Sequence, residues 1–411
     1  MHADFSAIAR ILTLRYDPIQ KSVRRRLAPS DFAPHSTNGS NVASRTLELI
    51  RKELLKKRVE LRFRRISLAL SGGVDSGLTL SMLRTMFPDL KIDCICVGFG
   101  DKDDEIRQAE QVARNFDCNF SGIVLDNVLS ELPKLISIVR EPRWNLYQYY
   151  ALEHGKKRSS NIFYTGDGGD ELFGGYTFRY QKFLSLLPKH AGWKTRAKIY
   201  LACHDRDWVP DQNKMFGPAV RFSWEKIYQL FRPYFSNKLA PLNQVFLADF
   251  NGKLLYDWLP TNLAFANFLG IKIESIFLTD AMIRFAAHVP WEAKYDPKKN
   301  VGKMPLRAIL AMQNGNQEIT GDIFKKGFSL NMNSLWNSHA KEIVLELLNE
   351  DSEVLRKGII SESWLSNTLG RLQDRDEGLR SRYISKMLSI LALEVWYRLF
   401  ISRTLNGKQR L

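Results

Sequence analysis

The chain has 411 residues, 45% of them hydrophobic and 25% charged, the balance of a folded globular protein with room for two packed domains. No uncharged apolar run is long enough to span a bilayer, Asp4, Arg10 and Arg15 interrupt any signal-peptide core, and Cys94, Cys96, Cys118 and Cys203 lack the C-x-x-C spacing of a zinc site, so a cytoplasmic protein with reduced thiols and no membrane partner is expected. The formal charge of +16 is uneven: residues 1–65 carry fifteen Lys/Arg against six Asp/Glu, yet no RNA-binding motif or aromatic stacking pattern accompanies them, so a solvated helix face is preferred and nucleic acid is the lesser expectation.

In chain order, residues 27–44 are rich in Pro, Ser, Asn and Gly and read as a loop, which sets a basic N-terminal segment (1–44) apart from the remainder (45–411). Ser44 can cap a helix on which Leu47, Ile50, Leu54 and Leu55 recur at helical spacing. Strand-like and helix-like runs then alternate: strand 66–70, helix 77–86, strand 92–99, helix 104–116, strand 120–125, helix 127–139, helix 146–153, strand 162–164. Repeated β-α units with short connections predict an α/β fold, a parallel twisted sheet flanked by helices, over about 60–180. From about 181 to 411 the pattern is mainly helical, with apolar spacing over 277–289, 340–348 and 384–399.

Two glycine-rich stretches carry the chemistry, each following a predicted strand and preceding a possible helix. The first is Ser71-Gly72-Gly73-Val74-Asp75-Ser76; the second is Thr165-Gly166-Asp167-Gly168-Gly169-Asp170-Glu171-Leu172-Phe173-Gly174-Gly175-Tyr176. A strand, a glycine turn and a helix N-terminus aim backbone N–H groups at an anion, here read as a nucleotide phosphate. The first stretch lacks the Gly-Lys-Ser/Thr ending of a Walker loop and the spacing of a dinucleotide loop. Its glycines allow close approach of the main chain, and the Ser71 and Ser76 hydroxyls can donate to phosphate oxygens. Asp75 would repel a phosphate unless a hard cation stood between them, so Mg²⁺ is implied, with Asp170 as the other carboxylate ligand and Asp167 and Glu171 as lesser candidates.

The first stretch resembles the pyrophosphatase loop of the N-type ATP pyrophosphatases, and the second resembles a signature of the asparagine synthetase family's synthetase domain. The resemblance continues through Gly98-Phe99, Asp104-Glu105, Glu141-Pro142, residues 270–286, Gly302-Lys303-Met304-Pro305-Leu306-Arg307, Lys326-Gly327-Phe328 and Leu393-Glu394-Val395-Trp396. It implies an adenine nucleotide alpha-hydrolase-like fold and an ATP-dependent ligase that adenylates a carboxylate, releases pyrophosphate and forms an amide. By the same resemblance Lys303 matches the lysine that reaches the α-phosphate, Asp75 and Asp170 the magnesium ligands, Val97, Gly98 and Phe99 the adenine-binding edge, and Gly166, Asp167 and Gly168 the second nucleotide turn.

Arg15-Tyr16-Asp17-Pro18 looks like the end of the family's glutaminase domain, whose N-terminal cysteine nucleophile has no counterpart in Met1-His2-Ala3. The nitrogen is therefore expected from free ammonia, from a separate glutaminase subunit or from an amine of the substrate, and the basic N-terminal segment could dock such a protein or peptide partner. Where the family reads Gly-Leu-Glu-Val-Arg, this chain reads Gly270-Ile271-Lys272-Ile273-Glu274, an exchange of signs. In an extended segment Lys272 and Glu274 share a face, so the exchange is either a compensated ion pair or a retuned amine site with Lys272 or Glu274 as base. The family's upstream Lys-Val-Asp-Arg is also absent, replaced by Thr261-Asn262-Leu263-Ala264. Intramolecular amidation of the β-lactam synthetase or lasso-cyclase kind and tRNA modification are the alternative activities, and an ATP-binding protein without catalysis is a third.

Overall fold

A computed structural model describes residues 3–34, 41–61, 64–99, 104–313, 332–372 and 376–411. Its centre is a sheet of five parallel strands, β1 (Arg65–Ala69), β2 (Lys91–Gly98), β3 (Asn119–Val124), β4 (Ile162–Thr165) and β5 (Lys272–Ser275), in the order β3-β2-β1-β4-β5. The inner strands β1, β2 and β4 are buried over nearly their whole length and read as apolar runs, whereas edge strand β3 alternates between exposed and half-buried residues. The predicted α/β architecture is thus the one observed.

Side chains of β2 divide between two cores, as period-two geometry requires. Ile92, Cys94 and Cys96 pack on one face with α4 (Val74–Met86) and α5 (Asp104–Asn115), while Ile95 and Val97 pack on the other with α6 (Leu132–Val139), α7 (Gln148–Lys157) and the helix Glu377–Phe400. Three details differ from the sequence reading. The helix α2 (Val42–Lys56) starts before Ser44, with Asn41 at its N-cap, because Val42 is itself buried. The run 127–139 is a 3-10 turn over Val128–Glu131 followed by α6, since Pro133 has no N–H to offer a continuous helix and is tolerated only in a first turn. The segment 272–275 is a full sheet strand, paired Ile162 to Lys272 and Thr165 to Ser275.

The N-terminal segment packs on the body of the protein. Asp4 caps α1 (Phe5–Leu14), whose Ile8 and Leu12 join the core of the helix Glu377–Phe400. Arg24 bonds the Leu278 carbonyl and Asp280, and Arg26 donates to the Tyr234 hydroxyl, while Arg51, Lys52, Lys56 and Arg58 stay solvated. No helix among the described residues is long and apolar enough to cross a membrane.

Candidate active site

Both glycine-rich turns leave the carboxyl ends of β1 and β4, which lie side by side where the strand order reverses. Such a reversal opens a crevice for ligands in parallel sheets. The first turn is closed by its own serines: the Ser76 hydroxyl donates to the Ser71 carbonyl at 2.9 Å, and the Ser71 hydroxyl accepts from the Gly73 N–H at 3.2 Å. The Ser76 hydroxyl is therefore used inside the loop. Gly73 caps α4 without a side chain, so no side-chain oxygen occupies the first-turn N–H groups. The second turn packs directly on the first. A Cβ at Gly166 would lie 2.8 Å from the Asp75 Cβ, and one at Gly169 would overlap the Asp75 carboxylate.

Lys303 joins the two turns from about 130 residues beyond the second. Its backbone has a left-handed φ of 56° and its N–H donates to the Phe173 carbonyl at 3.0 Å, which docks it against the helix α8 (Gly169–Phe173). Its Nζ then lies 2.7 Å from Asp75 Oδ2 and 2.5 Å from Asp170 Oδ1. Burial alone would lower this ammonium, but Asp170 and Asp75 outweigh it and hold the group above its ordinary value. Burial also raises Asp75, to about 7, with Lys303 pulling the other way. A Cβ at Gly175 would overlap both the Asp170 carboxylate and the Lys303 side chain, so the glycine pair after α8 leaves the room this contact needs.

Asp75 Oδ1 is buried with no hydrogen-bond partner, although it belongs to a group bonded on its other oxygen. An orphaned carboxylate oxygen beside a second carboxylate fits Mg²⁺, which takes one or two protein carboxylates and completes its shell with phosphate and water. Among the described residues no group of three or more His, Cys, Asp or Glu could cage a metal alone. Asp167 is a brace: its carboxylate accepts from Trp258 Nε1 at 2.6 Å and Asn262 Nδ2 at 3.0 Å, and its carbonyl accepts from the Ser275 hydroxyl at 2.7 Å. Glu171, raised to about 8 by burial, accepts from the Tyr176 hydroxyl at 2.6 Å.

A family model, Asparagine synthase, matches residues 51–398. The chain belongs to the asparagine synthase family. Asparagine synthetase (glutamine-hydrolyzing) 1 of Bacillus subtilis strain 168 is 32% identical over 125 residues, covering 29% of this chain and 19% of that protein. Among solved structures, the U34-tRNA thiolase NcsA of Methanococcus maripaludis is similar at 13% identity and a TM-score of 0.28, covering 57% of this chain and 91% of that one. NAD+ synthetase of Burkholderia pseudomallei (11%, TM-score 0.23, covering 65% and 96%) and NMN synthetase of Francisella tularensis (11%, TM-score 0.24, covering 34% and 59%) are similar at the same level.

Within the asparagine synthase family this chain's departures have structural explanations. Lys272 and Glu274 form the ion pair their shared face allows, at 2.8 Å, inside a network in which Lys272 also meets Glu60 at 2.7 Å and Glu274 meets Lys57 at 2.7 Å. Lys272 is half-exposed and its two carboxylate partners hold it above its usual value, so it is a cation. None of these contacts reaches Asp75, Asp170 or Lys303. Asn262, standing in the replaced Lys-Val-Asp-Arg stretch, holds Asp167 together with Trp258. Of the residues expected at an adenine-binding edge, Val97 and Gly98 are in the sheet, where the Gly98 carbonyl accepts from the Leu125 N–H, and Phe99 sits edge-on to Tyr147 at 5.6 Å. Lys326-Gly327-Phe328 lies outside the described residues.

Sequence reasoning missed Trp258 and Asn262, which orient Asp167, and Arg307, whose charge acts on Asp75. It also missed Lys294, a buried lysine whose main-chain carbonyl accepts from the Met304 N–H beside Lys303. Arg307 lies within the resembling Gly302–Arg307 stretch, one helical turn after Lys303, and that spacing was the available signal; Lys294 left none.

Proposed function

We propose that this chain is an ATP-dependent carbon–nitrogen ligase that adenylates a substrate carboxylate and passes the acyl group to ammonia or an amine, giving an amide, AMP and pyrophosphate. The observation that carries this reading is Lys303 held between Asp75 and Asp170 over two glycine turns at the sheet's reversal point. The uncapped first turn of α4 offers N–H groups to the leaving phosphates. Asp75 and Asp170 would hold Mg²⁺, which supplies neutralisation of phosphate charge.

In the first step a carboxylate oxygen of the substrate bonds to the α-phosphorus as the bond to the β-phosphate oxygen breaks and pyrophosphate leaves. The Lys303 ammonium exchanges its carboxylate contacts for the α-phosphate and the acyl oxygen, where negative charge develops in both steps. In the second step the amine nitrogen attacks the acyl carbon, AMP leaves, and a proton is lost from nitrogen. Within the exchanged pair Lys272 is kept cationic and does not take that proton, which leaves Glu274, whose carboxylate is shared by Lys272 and Lys57, as the residue to test as acceptor.

Pyrophosphate release from ATP, measured against a panel of carboxylates with ammonium, hydroxylamine or peptide amines, tests this reading. Lys303→Ala is expected to lower turnover by about two to three orders of magnitude with ATP binding retained. Full activity in that variant, or turnover with tRNA alone, would sink the assignment.

A further inference from the structure

A cavity of about 370 Å³ lies between α2 and the helix Asp280–His288. That volume is in the range of pockets for small organic molecules, about 300–1,000 Å³. From α2 come Arg45 and Leu49, one turn apart on one face, and from the facing helix come Arg284, Phe285 and His288, with Val289 directly after it. Leu49 and Val289 are buried and give the cavity an apolar floor, with the half-buried Phe285 ring beside them. The polar groups that line it are two guanidiniums and an imidazole. No carboxylate among the described residues lines it.

The carboxylates nearest in sequence and space are engaged with other cations. Asp280 stands one turn before Arg284, the usual place for a helical ion-pair partner, but it holds Arg24 at 2.8 Å. Arg284 itself forms no ion pair among the described residues. Asp31, near enough for the His288 charge to act on it, accepts from the Ala28 N–H at 2.7 Å and from the Arg25 guanidinium at 3.0 Å. Arg45 meets Glu48 at 2.5 Å, an exposed contact that a stronger anion displaces at little cost. The helix end adds to the positive field. Asn41 makes no side-chain hydrogen bond to the N-terminus of α2 and no acidic residue stands in its first turn, so the positive end of that helix lies uncompensated beside Arg45. The imidazole is held in place by the N-terminal segment: a carbonyl only accepts, so His288 Nδ1 donates to the Ala33 carbonyl at 2.7 Å.

We propose that this cavity binds a small, soluble organic phosphate monoester, with the phosphate among Arg45, Arg284 and His288 and the apolar body against Leu49, Phe285 and Val289. A phosphate monoester carries about two negative charges at neutral pH and three acceptor oxygens, a closer match to this set of donors than the single charge of a carboxylate. Guanidiniums also bind it through paired N–H groups. Inorganic phosphate alone would leave the apolar floor uncovered. The site is separate from the nucleotide site, since Asp75, Asp170 and Lys303 are not among its lining residues, and the inference does not depend on the ligase reading.

The test uses the full chain with Mg²⁺ and a non-hydrolysable ATP analogue in saturating amount, titrated in a calorimeter with phenyl, 1-naphthyl and hexyl phosphate. At least one ester should bind in a one-to-one complex, about tenfold tighter than inorganic phosphate and than benzoate. Arg284→Met and Arg45→Met should each weaken that ester about tenfold and leave the affinity for the ATP analogue unchanged. Amide hydrogen exchange should show protection by the ester over residues 42–49 and 281–289. Esters that bind no tighter than inorganic phosphate or benzoate, affinity that survives in both Met variants, or protection confined to the two glycine turns would each overturn the proposal. Retention of the chain on phosphatidate–phosphatidylcholine vesicles, with no soluble ester bound, would assign the cations to a lipid surface and overturn it as well. Both arginines are exposed, so the variants should fold, and thermal melting of each separates loss of the site from loss of the fold.

Discussion

Replacing Lys294 by methionine should make this protein more stable, and the reason can be worked through in numbers. The Lys294 side chain is fully buried, its Nζ has no hydrogen-bond partner, and it faces the rings of Phe246 at 5.2 Å and Phe32 at 5.9 Å. Burial lowers it from 10.5 to about 7. A depression of that size corresponds to an upper bound of about 5 kcal/mol at low pH, at about 1.4 kcal/mol per pH unit. The sign follows from proton counts. Above about pH 10.5 both states hold a neutral amine and there is no penalty. As the pH falls from there toward 7 the unfolded chain takes up a proton that the folded one refuses, so stability is lost; below about 7 the penalty is constant. Methionine fills a similar volume without the amine. With relaxation of the site allowed for, Lys294→Met should gain roughly 2–4 kcal/mol near pH 7.5 and roughly nothing at pH 10.5. Urea denaturation of both proteins at several pH values between 7 and 10.5 measures this. A variant no more stable than the native chain, or a stability difference that does not shrink as the pH rises, would refute the argument.

Other consequences concern the site. Gly175→Ala would drive a methyl group into the Asp170–Lys303 contact, so pyrophosphate release should fall by about two orders of magnitude while ATP binding, followed by calorimetry, persists. Asn262→Leu removes a side-chain donor to the buried Asp167 carboxylate and should cost about 1–3 kcal/mol, read from denaturation, with a parallel drop in turnover. In Glu274→Gln the amide-forming step should slow about a hundredfold while a first turnover of pyrophosphate survives; an unchanged rate would show that the Lys272–Glu274 pair is only structural.

Four of the five strands and both glycine turns were readable from sequence because their signals are local: apolar runs of strand length followed by clusters of glycine that mark tight turns. β5 was harder to read, since a four-residue strand carrying Lys272 and Glu274 has no apolar run, and its identity comes from pairing with β4 more than a hundred residues earlier. The Lys272–Glu274 ion pair could be foreseen from period-two spacing, but not the Glu60 and Lys57 that complete it. Asp167 looked like a ligand because it sits in a glycine turn; Trp258 and Asn262 make it a brace.

The chain by itself therefore determined the α/β class, the family and the two glycine turns after β1 and β4, because each depends on residues adjacent in sequence. Only the tertiary structure decided which charges meet. Lys303 reaches Asp75 and Asp170 through a loop docked on α8, and Arg15 and Lys253 meet at Asp207 from two separate segments. Side-chain electrostatics act over a few ångströms of space whatever the distance along the chain, so no local pattern records them.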